Sequence, residues 1–128
     1  MAFIEHPTSN TTEGIIGAAI EVHRTIGPGV LESTYHKCIR RELTLRDIPF
    51  ESGVILRLEY KGVSLDHGYV IDLLVKKEVI VELKCVAKLL PIHECRLMTY
   101  MRLRRISTGL LINFKVSLLK DGIKRILL

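Results

Sequence analysis

Tryptophan is absent from this 128-residue chain, and four tyrosines with three phenylalanines bring aromatics to only 5%. A platform of successive aromatic rings for single strands is therefore not evident. Cysteine is scarce and odd in number, at three. That excludes a disulfide framework and fits reduced thiols in a cytoplasmic chain. No uncharged apolar run approaches the roughly 18–20 residues of a membrane span, so no membrane partner is expected. The first residues lack a basic stretch leading into an apolar one, and no secretory signal is expected. There is no low-complexity segment and no internal repeat.

What is present is ordinary for a folded protein: 48% hydrophobic and 26% charged residues. The length suits one domain with one core, without disulfides or a structural metal. Residues 1–10 are polar and contain Pro7, and they read as a loose lead-in to a single domain over 11–128. The net charge of +5 favours an anionic partner.

Periodicity supplies the elements. Thr11-Thr12 offers an N-cap to a helix carrying Ile15, Ile16, Ala19, Ile20 and Val22, which must stop at Gly27-Pro28-Gly29. That loop can cradle an anion, but its simpler role is to end one helix and start another, from about Val30 to Arg46. Val54, Leu56, Leu58 and Tyr60 alternate with more polar residues, as in a half-exposed strand. Lys61-Gly62 marks a turn. Gly68 to Val75 and Val79 to Cys85 read as buried strands joined at Lys76-Lys77-Glu78. Pro91 opens a helix to Arg104, Gly109 to Phe114 forms a strand after a parallel crossover, and Asp121-Gly122 leads to a last strand from Ile123 to Leu128. The order α-α-β-β-β-α-β-β predicts an α/β fold with a mixed sheet flanked by helices. The apolar ending Ile126-Leu127-Leu128 suits an open sheet edge, or the strand of a homodimer.

Three charges interrupt the apolar strands: Asp72, Glu82 and Lys84. Glu82 and Lys84, two apart on a strand, share a face. Burying such groups is costly unless they are paired or bind a metal. If Lys76-Lys77-Glu78 is a three-residue loop, Val75 faces Val79 and Asp72 faces Glu82. The two carboxylates then repel each other, and a divalent cation between them reverses the sign of that interaction. Oxygen ligands of this kind suit Mg²⁺ or Mn²⁺. A two-residue loop would instead turn Asp72 away from Glu82. Glu32 adds a carboxylate within the apolar arc of its helix, between Ile39 and Leu43, with no cation nearby on its own face. Glu42 also lies in that arc, but Arg46 is placed to pair with it.

Gly29-x-x-Glu32-x-x-Tyr35 resembles the signature of the GxxExxY protein family. Gly27-Pro28-Gly29, Asp72, Glu82-Leu83-Lys84, Pro91-Ile92-His93-Glu94, Leu110 to Phe114 and Gly122-Ile123-Lys124-Arg125 follow that family in order. The resemblance runs from about Thr11 to Arg125. It implies the PD-(D/E)XK nuclease superfamily, a restriction-endonuclease-like fold, and metal-dependent phosphodiester hydrolysis with DNA as the expected substrate. By the same resemblance, Asp72 and Glu82 hold Mg²⁺ or Mn²⁺ and Lys84 assists the attacking water. Glu32 completes the metal shell or orients water. Where the family has Gln, this chain has Arg96. Its guanidinium suits a phosphate, or an active-site carboxylate that it would then block. The alternative function is a catalytically weakened nuclease fold that binds nucleic acid or serves in assembly.

Arg96 and Arg102 share a helix face and, with Lys88, are the candidate phosphate contacts. The cysteines and His93 lack zinc-ligand spacing. Cys38, Cys85 and Cys95 read as small buried apolar residues, and His23 and His36 as structural.

Overall fold

The computed structural model describes residues 6–65 and 68–128. Helix α1 spans Ser9–Ile26 and α2 spans Glu32–Leu45. Strand β1, Phe50–Ile55, leads into a small hairpin of β2, Glu59–Tyr60, and β3, Val63–Ser64. Strands β4, Val70–Val75, and β5, Val79–Lys84, follow. Helix α3, Pro91–Arg104, crosses to β6, Thr108–Asn113. A short 3₁₀ turn, Leu119–Gly122, precedes β7, Ile123–Leu127. The main sheet has the order β1-β4-β5-β6-β7, with β5 and β6 parallel and every other neighbour antiparallel. It is the mixed sheet with flanking helices that the sequence predicts.

Strand alternation gives the sheet two apolar faces. On one face Leu73, Val75, Val79, Val81, Leu83, Leu110 and Ile112 meet α1 and α2 through Ile15, Ala18, Tyr35, Ile39 and Leu43. On the other, Leu74, Ile80 and Leu111 meet α3 through Leu97, Tyr100 and Met101. Glu82 and Lys84 alternate with the first set along β5 and so belong to the α3 face. The turn after β4 sets the register that matters. Val75 faces Val79 across three residues, and Leu73 faces Val81. Lys76 and Lys77 take positive φ there, and the Glu78 N–H donates to the Val75 carbonyl. Glu78 also accepts a 2.7 Å bond from the Thr11 hydroxyl, which pins the turn to α1.

Three boundaries differ from the sequence reading. Helix α1 begins at Ser9, and Thr11 and Thr12 are buried within it rather than capping it. The lead-in is accordingly shorter, since Ser9 and Asn10 are already helical and residues 1–5 lie outside the described residues. The alternating run Val54 to Tyr60 is not one strand. It leaves the sheet after Ile55, and its last residues pair with β3. Gly53 interrupts the pairing two residues before that departure. It sits across from Asp72 at φ +62°, where the β1–β4 pairing is interrupted between Ser52↔Leu73 and Val54↔Ile71. The register is the same on both sides of Gly53, so no residue is inserted; the left-handed glycine breaks the ladder locally opposite Asp72.

Candidate functional site

The pairing of β4 and β5 stops at Leu73↔Val81, and the next position brings Asp72 opposite Glu82. Here side chains replace backbone rungs. The Asp72 N–H donates to Glu82 Oε1 at 3.1 Å, and the Leu83 N–H donates to Asp72 Oδ2 at 2.8 Å. Each carboxylate is thus held by the other strand's backbone, and the two acids are fixed side by side. Glu82 is only 4% exposed. Burial, then the charge of Asp72, pushes its carboxyl up to about 8, while Lys84 pulls in the opposite direction. A pair of acids that cannot both ionise comfortably is a donor set that a divalent cation fits. A bound cation would take the place of the proton, held by Asp72 and Glu82, and would neutralise their charge. Among the described residues no three His, Cys, Asp or Glu side chains gather in metal-binding geometry.

Glu32 meets the same strand from the other side. Its Oε1 accepts a 2.9 Å bond from the Cys85 N–H, one residue beyond Lys84. The loop before α2 is tied to this strand end as well, through Cys85 Sγ and the Val30 carbonyl at 3.7 Å. Tyr35 secures the loop from below. Its ring stacks on Phe114 with centroids 4.3 Å apart, and its hydroxyl donates to the Gly27 carbonyl. The motif Gly29-x-x-Glu32-x-x-Tyr35 is therefore a clamp that fastens the start of α2 to the end of β5.

Three residues join the site that sequence reasoning left out. His36, expected to be structural, lies one helical turn after Glu32 with Nε2 3.9 Å from Asp72 Oδ2. Tyr100 of α3 is buried. Burial first, then the charges of Glu82 and Asp72, raise its phenol above the usual range, and Arg96 opposes them. Asn113 faces Lys84 across the parallel pair. Its Oδ1 accepts from the Val86 N–H at 3.1 Å, and its Nδ2 donates to the Val86 carbonyl at 2.9 Å. It holds the backbone just past the lysine. An Asn within an apolar strand run was the available signal. His36 and Tyr100 carried none, because helical periodicity does not show which loop or strand end a residue meets.

The basic candidates are exposed. The side chains of Arg96, Arg102 and Lys88 form no hydrogen bond or ion pair among the described residues. Arg96 therefore does not pair with either carboxylate, although its charge reaches Tyr100. Lys124, by contrast, is paired with Glu94. Glu42 pairs with Arg46 at 3.0 Å as expected. The cysteine expectation needs correction: Cys38 and Cys85 are half-buried at the margin of the core, and Cys95 is exposed and packs against neither core. His23 is structural, its Nε2 bonded to the Val116 carbonyl at 2.8 Å.

No helix among the described residues is long and apolar enough to cross a membrane. A family model described as PD-(D/E)XK nuclease superfamily matches residues 9–126. No curated protein and no solved structure gives a significant match.

Proposed function

The chain belongs to the PD-(D/E)XK nuclease superfamily, and from that premise we propose that it is a Mg²⁺- or Mn²⁺-dependent nuclease that hydrolyses phosphodiester bonds of DNA. Within the superfamily we assign it to the GxxExxY proteins, a reading supported by the spacing Gly29-x-x-Glu32-x-x-Tyr35. The observation that carries the reading is the facing pair Asp72 and Glu82, each locked by the opposite strand's backbone, with Lys84 on the same face as Glu82.

Asp72 and Glu82 hold the cation. When bound, it supplies an acidified water and neutralises charge on the phosphate. Glu82 must give up its proton for that, and the Lys84 ammonium favours the ionised form. Lys84 then stands where it can hold the attacking water and add positive charge beside the crowded phosphorus. Glu32 orients water at the edge of the site while it holds Cys85. Arg96, Arg102 and Lys88 take neighbouring phosphates, Arg96 through its planar fork. The chain acts in the cytoplasm, and β7, at the sheet edge, is the surface for a homodimer.

The test is cleavage of supercoiled, linear and branched DNA, single-stranded DNA and RNA with Mg²⁺, Mn²⁺ or EDTA, using wild type and Lys84→Ala. DNA cutting is expected to need the cation and to disappear in the variant. Cutting that persists in EDTA or in Lys84→Ala overturns the mechanism. The exposed Arg96 at the family's Gln position favours a second reading, a weakened nuclease retained as a binding module. It predicts salt-dependent binding without turnover, and turnover recovered in Arg96→Gln.

His36 gives a narrower prediction. A group that steadies a ligand carboxylate typically contributes ten- to a hundredfold to metal affinity. His36→Ala is expected to weaken Mn²⁺ binding by about tenfold in titration calorimetry. Unchanged affinity would make the 3.9 Å approach to Asp72 incidental.

A further inference from the structure

Residues 57–65 form a ribbon with two unlike faces. Lys61 and Gly62 turn at φ 48° and 85°, and the pairs Tyr60↔Val63 and Glu59↔Ser64 stand on either side of the turn. The Leu65 N–H donates to the Leu58 carbonyl at 2.7 Å, which extends the same register. Strand alternation then puts Leu58, Tyr60, Val63 and Leu65 on one face and Arg57, Glu59 and Ser64 on the other. The apolar face lies open: Tyr60 is 62% and Val63 59% exposed. Lys61 Nζ lies 5.3 Å from the centre of the Tyr60 ring.

The base of the ribbon is fixed next to the acids. The Leu56 N–H donates to the Tyr69 carbonyl at 2.8 Å, three residues before Asp72. Leu56 is buried against the core that includes Tyr100 and Met101. At about 3.3 Å per residue, the seven or so extended residues from Asp72 to Tyr60 span at most roughly 23 Å. That equals about seven stacked nucleotides at ~3.4 Å each. A strand whose phosphate sits at Asp72 and Glu82 therefore has its flanking bases within reach of Tyr60.

We propose that this ribbon is the docking surface for unpaired bases of the nucleic acid being cut, so that the substrate is single-stranded, or splayed open beside the scissile phosphate. The inference rests on the nuclease reading for its orientation. Two features choose this occupant. The face is continuous with the carboxylate site through Leu56 and Tyr69, so a strand leaving that site passes along it. Its exposed Tyr60 ring carries a cation, and base faces stack on rings while phosphates meet cations. A paired duplex offers only phosphates and groove edges to such a surface, and its bases stay stacked on one another.

The test is fluorescence anisotropy at low salt in EDTA, where no cutting can occur. The probes are a labelled thymidine 20-mer and a blunt 20-base-pair DNA duplex. Wild type is expected to bind the single strand more tightly than the duplex. Tyr60→Ala is expected to weaken single-strand binding by about 5- to 150-fold, the range for loss of one base–aromatic stack. Duplex binding should be unchanged, and Tyr60→Phe should restore the single-strand affinity. Equal loss on both probes, no loss on either, or no binding by wild type overturns the proposal. So does a shift from dimer to monomer in Tyr60→Ala with binding intact, which would make the ribbon a contact between copies of this chain. Because binding is read without cation, a failed nuclease reading shows itself separately, as single-strand binding through Tyr60 without cleavage in Mg²⁺ or Mn²⁺.

Discussion

Replacing Glu82 with Gln is expected to abolish cleavage while raising the stability of the metal-free protein at alkaline pH. The loss of activity should be on the order of 10³-fold or more, because a cation ligand and its charge disappear together. The gain has the same origin. Glu82 is buried beside Asp72, and the cost of ionising it there holds its carboxyl at about 8. In the unfolded chain a glutamate releases its proton near 4.3. Between those two values the folded protein keeps a proton that the unfolded chain has lost. Stability therefore falls as pH rises through that window: the contribution is fully present below the unfolded value and is gone above about 8. Gln has nearly the same shape and no charge. Its Oε1 can still accept from the Asp72 N–H, and its amide can donate to the Asp72 carboxylate. Melting curves without cation should show wild type losing stability between pH 5 and 9, and Glu82→Gln should remove most of that slope. The same proton competes with metal, so wild-type cation affinity should climb with pH until about 8. Parallel melting profiles for the two proteins would mean that Glu82 is ionised throughout.

Much of this site was legible because strand arithmetic is strict. Asp72 and Glu82 stand ten apart, and a three-residue turn leaves them facing one another while a two-residue turn does not. The sequence alone left both turns open. The choice came from contacts that no local pattern contains: Thr11 holding Glu78, and the Pro49 carbonyl accepting from the Lys76 N–H at 2.9 Å. Glu32 stood out as a carboxylate in an apolar arc, and its bond to the Cys85 N–H accounts for that position. The first strand failed for the opposite reason. Alternation from Val54 to Tyr60 describes an extended backbone, but it does not say which partner that backbone pairs with. Residues 56–58 divide the run between two sheets, Val54 and Ile55 pairing with β4 and Glu59 and Tyr60 with β3. His36 and Tyr100 belong to helices whose partners lie far along the chain, so only the assembled fold brings them to the acids.

The second large effect is expected at Gly122→Ala, outside the carboxylate pair itself. A Cβ built on Gly122 would lie 2.1 Å from the Asn113 carbonyl oxygen and 3.0 Å from Val116 Cγ2. The first of these is the backbone at the end of β6, which pairs with Lys84 of β5 there and with β7 up to Ile112, so it cannot yield as a flexible side chain would. Overpacking against a fixed backbone costs about 3 kcal/mol, at the high end for inserted carbons. That is roughly a 10 °C lower melting point for a domain of this size. Gly29→Ala is the control, since its added carbon meets no atom within 4 Å. It should stay within about 0.5 kcal/mol of wild type. The displacement also has a path to the chemistry. Asn113 bonds Val86 in both directions, and the Phe114 N–H donates to the Lys84 carbonyl at 2.9 Å. Moving Asn113 therefore moves the backbone that carries Lys84. At a temperature where Gly122→Ala is still fully folded by circular dichroism, its cleavage rate should fall more than tenfold, because misplacing a reacting group by an ångström can cost about a hundredfold. A variant that is less stable but cuts at the wild-type rate when folded would uncouple β7 from the site. Equal urea midpoints for Gly122→Ala and Gly29→Ala would show that β6 gives way at Asn113, and that the lysine is held by β5 alone.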